Sequence, residues 1–138
     1  MKPSLEIAKA VLRSQPFSLL LKAEISSFEP KLVELRLPIT DETKQQNGFV
    51  HGGVISYAAD NALTFAGGAA LGPAVVTSEY KINYIRPAMG DMLVARASVV
   101  HAGKSQAVCQ CQVFSISGGE EVLCAIAQGT IASLAQPK

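Results

Sequence analysis

Residues 51–67 read HGGVISYAADNALTFAG. Val54, Ile55, Tyr57, Ala58, Ala59, Ala62, Leu63, Phe65 and Ala66 spread apolar side chains nearly all the way round a helical period. Alanine is abundant and β-branched residues are few, so helix is favoured over strand. A helix that is apolar on all sides is a buried helix, and something must surround it. Its polar exceptions, Ser56, Asp60 and Thr64, recur at every fourth position and form one narrow stripe, with Asn61 to one side. Gly67-Gly68 reads as the helix stop.

The flanking segments supply the surround. Ser4 is a candidate cap for a short amphipathic helix carrying Leu5, Ala8, Val11 and Leu12 on one face, and Pro16 ends it. Residues 19–27 are apolar enough for a strand, and Phe28-Glu29-Pro30 suits a turn. KLVELRLPI, residues 31–39, alternates as a half-buried antiparallel strand, and residues 41–49 form a polar loop. After Pro73 the period becomes two. VVTSEYKINYIRP, residues 75–87, puts Ser78, Tyr80, Ile82 and Tyr84 on one face and Thr77, Glu79, Lys81 and Asn83 on the other. Three more strands follow, MLVARASVVH, QAVCQCQVFSI and EVLCAIAQGTIASL, separated by turns at residues 101–104 and at Gly118-Gly119. The order is strands, one buried helix, then a meander of about four antiparallel strands. One helix cannot cover both faces of a five- or six-stranded sheet, so the sheet must wrap the helix. The expectation is a single α+β domain over residues 1–138, with residues 1–16 as a helical segment. Edge strands and any uncovered face invite self-association.

Composition narrows the function classes. Hydrophobic residues make up 49% and charged residues 17%, a globular balance. A net charge of +1 with no Lys/Arg run argues against a nucleic-acid partner. Glu6 and Lys9 interrupt the start where a secretory signal needs an unbroken apolar stretch. The longest uncharged run, Asn61–Ser78, approaches the roughly 18-residue length of a membrane span, but it contains Gly67, Gly68, Gly72 and Pro73. A soluble, cytoplasmic protein without a membrane partner is expected. The three cysteines, Cys109, Cys111 and Cys124, fit neither a disulfide framework nor a metal site and read as buried thiols.

Asp60 is the residue that carries chemistry. A carboxylate in an apolar setting is costly unless partnered, and desolvation raises its pKa toward the range useful to a general base or nucleophile. The competing reading is a structural hydrogen bond to Ser56, Thr64 or a neighbouring chain. At the helix start, Gly52 and Gly53 offer N–H groups that no helical carbonyl satisfies, as a candidate oxyanion donor; a simple tight turn is the alternative. His51 sits at the loop-to-helix junction and is read as positioning that turn, with a general-base role as the alternative, and His101 as an exposed strand-end residue. Gly52 and Asp60 are eight residues apart, about 12 Å along a helix. One carbonyl cannot lie within ~3 Å of both. If both act on one substrate, they come from different subunits.

GFVHGGVISYAADNA, TSEYKINYIRPAMGD and HAGKSQAV together resemble the hotdog-fold acyl-CoA thioesterases, in particular the phenylacetate-degradation (PaaI-like) branch. The pattern is His-Gly-Gly, an acid nine residues after the His, then aromatic-x-x-Pro and Gly-Asp; here these are His51-Gly52-Gly53, Asp60, Tyr84 to Pro87, and Gly90-Asp91. The resemblance covers residues 20–134. It implies a helix wrapped by an antiparallel sheet, an obligatory dimer and often a tetramer. It also implies hydrolysis of an acyl-CoA thioester. In that mechanism the Gly52 N–H polarises the carbonyl, and Asp60 of the other subunit attacks or activates water. A Ser or Thr of the next strand places that water, and Thr77 matches best.

The family's loop Asn, six residues before the His, is Gln45 here. Gln keeps the amide and adds a methylene, so Gln45 is a candidate to hydrogen-bond the substrate or the attacking water, with a solvated loop side chain as the alternative. Gly53 and Asn61 are expected substrate contacts; Arg86 and Lys104 are candidate partners for the CoA phosphates, with a solvated surface charge as the competing reading for each. Tyr57, Leu63 and Phe65 are candidates for the acyl pocket, with core packing as the competing role. No cofactor is expected beyond the CoA of the substrate itself, and no metal. Two other readings stay open: a non-catalytic acyl-CoA-binding module, and a 3-hydroxyacyl thioester dehydratase, for which no second helix acid or HxxPG loop is present.

Overall fold

The structure, a computed structural model, describes residues 4–134. Helices α1 (Leu5–Arg13) and α2 (Pro16–Leu20) precede strands β1 (Glu24–Glu29) and β2 (Leu32–Pro38). The central helix α3 (Gly52–Leu71) leads into β3 (Val75–Tyr84), β4 (Met92–Ala102), β5 (Gln106–Ser117) and β6 (Glu120–Ser133). The six strands form one antiparallel sheet in the order β1-β2-β4-β5-β6-β3. Helix α3 contacts every strand, so the sheet wraps it, and the architecture is the hotdog fold.

The core is the contact between α3 and the concave sheet face. Ala58, Ala59, Ala62, Leu63 and Ala66 are at most 1% exposed and share one cluster with Val33, Leu35, Leu37, Leu93, Val113 and Ile131. The run of alanines keeps the helix thin, which lets six strands close around it. Burying each larger side chain such as Leu63 contributes about 1.5–3 kcal/mol. Ser4 caps α1 by accepting the Ile7 N–H, and Ala8 and Leu12 are buried beneath it.

Four expectations are corrected. First, Pro16 does not merely end α1; it opens α2, where its fixed φ suits the first helical position. The first strand consequently begins at Glu24, after residues 19–23 have been used by α2 and its turn. Second, Gly67-Gly68 does not stop α3. The helix runs on to Leu71 and ends at Gly72, whose φ of 107° is the conformation glycine tolerates. Gly67 serves packing instead: a Cβ there would lie 2.4 Å from Ile131 Cγ2. Third, only β4, β5 and β6 form a meander. β3 lies beyond β6 at the sheet edge, while β4 pairs with β2. The Ile85–Asp91 connection carries the chain across, which a two-residue hairpin could not do.

Fourth, a β-bulge at Ser78 shifts the register of β3 on β6 between Thr77 and Glu79. The extra residue reverses the alternation. Thr77 therefore shares the helix-facing side with Tyr80 and Ile82 rather than lying opposite them.

Cys109, Cys111 and Cys124 are free and buried, as expected. Burial pushes the Cys109 thiol up to about 11 and the Cys111 thiol to about 12. On the outer sheet face, Glu34 accepts hydrogen bonds from Ser26 (2.6 Å), Arg36 (3.1 Å) and Arg96 (2.8 Å), and Arg96 reaches on to Glu121. Among the described residues no helix is long and apolar enough to cross a membrane.

Candidate active site

The polar stripe of α3 faces β3. Ser56 Oγ is hydrogen-bonded to Tyr80 OH. One turn on, Asp60 Oδ1 accepts from Thr77 Oγ1 at 2.6 Å. One turn further, Thr64 Oγ1 lies 2.8 Å from Thr77 Oγ1 and donates to the Asp60 carbonyl at 2.8 Å. The bulge at Ser78 is what turns Thr77 toward the helix, so a backbone irregularity positions the carboxylate. Asp60 is half-buried and lines an open groove of about 320 Å³ with Gln15, Phe17, Tyr57 and Asn61. A held carboxylate at a solvent-accessible groove can take a proton from water or attack an electrophile.

The α3 start is the second part. His51 is its N-cap, and His51 Nδ1 accepts the Gly53 N–H at 2.8 Å. Accepting at Nδ1 places the ring proton on Nε2. A Cβ at Gly53 would lie 3.0 Å from His51 Nδ1, a contact tight enough that the imidazole would have to shift. The expected Gly53 contact with substrate is thus limited to its open backbone, since its N–H is taken. The Gly52 N–H donates to no described residue and remains available as an oxyanion donor. The Tyr84 hydroxyl donates to the Gly52 carbonyl at 3.2 Å, and its ring would lie 3.7 Å from a Cβ at Gly52.

The remaining predicted residues divide between these two ends. Gln45 lies in the loop leading to His51; its side-chain oxygen accepts the Asn47 N–H, and its amide nitrogen donates to no described residue. Arg86 is exposed two residues beyond Tyr84, at the Gly52 end. Lys104 is exposed in the β4–β5 turn. The neighbouring Ser105 carbonyl accepts the Ser133 N–H, and Ser133 pairs with Val75, so Lys104 belongs to the Thr77 end. Asn61 donates to Gln15 (3.1 Å), Ser18 (3.3 Å) and Tyr57 (3.1 Å), tying α3 to the α1–α2 segment. Burial raises the Tyr57 phenol, against the hydrogen bonds from Ser18 and Asn61. Of the three acyl-pocket candidates, Leu63 is fully buried in the core, whereas Tyr57 and Phe65 each line a cavity. Gln15 and Ser18 were not singled out by the sequence, because they come from the α1–α2 segment, distant in the chain; Tyr84 entered only as the aromatic of the motif. Among the described residues no group of three or more His, Cys, Asp or Glu side chains is gathered as a metal site requires.

The thioesterase superfamily model matches residues 47–122, a span that contains the HGG helix start, Asp60 and Thr77. The chain belongs to the thioesterase superfamily. As a member it is a thioester hydrolase. A solved thioesterase family protein from Silicibacter pomeroyi is 32% identical, covers 92% of this chain and 95% of its own, and superposes with a TM-score of 0.86. A 1,4-dihydroxy-2-naphthoyl-CoA hydrolase from Listeria monocytogenes is 29% identical over 79% of this chain and 88% of its own length. The Escherichia coli PaaI protein of the phenylacetic acid degradation operon shares the fold, with a TM-score of 0.81 over 96% of this chain and 97% of its own at 24% identity.

Proposed function

We propose that this superfamily member hydrolyses an acyl-CoA to the free acid and CoA at a site shared by two copies of the chain, as in the PaaI-like branch. The observation that carries the reading is the separation of two complementary half-sites on one helix. Gly52 offers a free N–H at the α3 start. Asp60 is held by Thr77 eight residues later, about 12 Å along the axis. The Gly52 N–H polarises the thioester carbonyl. Asp60 of the partner subunit takes a proton from the attacking water and passes it to the departing thiolate, or it attacks the carbonyl itself to form an anhydride that water then hydrolyses, that water's proton ending on the thiolate; in both routes the acid is freed and CoA leaves as the thiol. His51 fixes the glycine turn, and Gln45, in the loop that leads to it, supplies an amide donor at the same end. Arg86 from one subunit and Lys104 from the other then flank one site, where two cations suit the CoA phosphates. No metal or cofactor takes part in this scheme. The exposed edge of β3 is the natural seam for such a dimer, with the protein acting in the cytoplasm.

Complementation between two inactive variants tests the shared site. Asp60→Asn removes the base. Gly52→Pro removes the N–H at the first helical position, which proline tolerates, and His51 is already extended as a residue before proline must be. Each variant alone is inactive in thiol release. Refolded together, random pairing restores about a quarter of the wild-type rate, because half the dimers carry one intact site. A mixture as inactive as its parents would show that both groups serve one chain's own site.

A further inference from the structure

Two cavities meet beside Asp60. The open groove already described is one. The second is a recess of about 100 Å³ between α1 and α3, walled by Ile7 and Val11 of α1, Phe28 of β1, Phe65 and Gly68 of α3, and Val75 of β3. Gln15 and Thr64 line both cavities. Thr64 Oγ1 lies 2.8 Å from Thr77 Oγ1, which in turn holds the Asp60 carboxylate. The recess therefore opens two side chains away from the reacting carboxylate.

We propose that this recess receives the acyl group of the thioester, and that α1 and Gly68 limit it to a compact hydrocarbon, a short chain or a single ring. The inference rests on the thioesterase reading of the Asp60 groove and adds where the acyl group goes and what fixes its size. Apart from Gln15 and Thr64 at the mouth, the walls are apolar and offer nothing to the phosphates or amides of CoA. Ile7 and Val11 are 46% and 37% exposed, so hydrocarbon seated here would cover apolar surface that α1 leaves open to water. The volume is of the order that admits one small ring; an apolar cavity of about 150 Å³ holds benzene.

Gly68 gives an independent argument. Glycine inside a helix costs about 1 kcal/mol relative to alanine. At Gly67 packing requires that loss, because a Cβ would collide with Ile131. At Gly68 it does not: a Cβ would lie 3.6 Å from Val75, an ordinary contact. The methyl missing at Gly68 leaves space in the recess and serves no packing need in the apo protein.

The full chain is assayed for thiol release with propionyl-, hexanoyl- and palmitoyl-CoA. Wild type is expected to favour hexanoyl over palmitoyl by about tenfold or more in kcat/KM, the discrimination a sized apolar pocket supplies. Gly68→Ala and Val11→Phe each fill the recess without disturbing the core. Both are expected to lower the hexanoyl-to-propionyl ratio about tenfold. Val100→Phe, the same size change at an exposed site on β4, leaves that ratio unchanged. Ratios that stay within about twofold of wild type in both filled variants, or palmitoyl-CoA as the preferred substrate, overturn the recess and leave the thioesterase reading standing. Wild-type protein that hydrolyses no member of the panel overturns that reading, and the recess with it.

Discussion

Thr77 Oγ1 donates to Asp60 Oδ1 at 2.6 Å, joining the edge strand β3 to the middle of α3. The bond depends on the bulge at Ser78, which turns Thr77 toward the helix. The second carboxylate oxygen of Asp60 accepts from no described residue, and Asp60 lines the open groove. The arrangement orients a base while keeping one of its oxygens accessible.

Asp60→Asn keeps the size and loses the charge. It is expected to lower kcat by about 10²–10⁴, the usual contribution of a positioned base, with the circular dichroism spectrum unchanged. Thr77→Val keeps the shape and deletes the donor. A hydrogen bond to a charged group contributes about 1.5–3 kcal/mol, so kcat falls roughly 10- to 100-fold and Thr77→Ser restores most of it. Wild-type turnover in Thr77→Val would mean that the bond does not orient the base.

His51 separates capping from activity. Its Nδ1 accepts the Gly53 N–H at 2.8 Å. His51→Ala leaves that N–H without a partner and costs about 1 kcal/mol in urea unfolding. His51→Asn supplies another good cap and recovers that stability. If the role of His51 is to position the glycine turn, activity follows stability across the pair. An Asn variant that is stable yet inactive would assign the imidazole a direct part in the reaction.

Gly67 is fixed by its neighbour. A Cβ there would meet Ile131 Cγ2 at 2.4 Å and Ile131 Cβ at 2.5 Å. Gly67→Ala gains helix propensity of about 1 kcal/mol, but overpacking costs about 1–3 kcal/mol, so the net change is expected to be destabilising. Because Ile131 Cβ is itself in the way, Ile131→Ala does not rescue it. Thermal melts of the single and double variants decide this; a Gly67→Ala protein more stable than wild type would show that α3 can move off the sheet.

These residues also mark what a sequence can and cannot show. α3 was legible because helical periodicity is local and its alanines and stripe lie within one window. The stripe Ser56-Asp60-Thr64 was legible as one face of α3, but that β3 meets it is visible only in the fold. The half-site argument needed only the spacing of Gly52 and Asp60. The position of β3 beyond β6 was not legible, because it depends on pairing between segments some fifty residues apart. The Ser78 bulge left no mark, since Thr77-Ser78-Glu79 alternates as acceptably with it as without it. The roles of Gly67 and Gly68 were hidden for the same reason: two adjacent glycines resemble a stop, and only the sheet distinguishes a collision with Ile131 from open space.

Glu34 makes acid stability a readout of the outer face. Its side chain is 14% exposed. Burial alone would raise its pKa, but hydrogen bonds from Ser26, Arg96 and Arg36 prevail and lower it from 4.5 to about 2. A group whose folded pKa lies below its unfolded value stabilises the fold above the unfolded value, and that stability is lost as pH falls toward the folded one. The contribution is thus complete above about pH 5 and fades between about pH 4.5 and pH 2, amounting to on the order of 3 kcal/mol. Glu34→Gln loses the charge that Arg36 and Arg96 face, so it is less stable than wild type at neutral pH. Its urea midpoint should then change less than that of wild type across the acid window, and the two curves should converge toward pH 2. Parallel curves for the two proteins would place the acid sensitivity elsewhere.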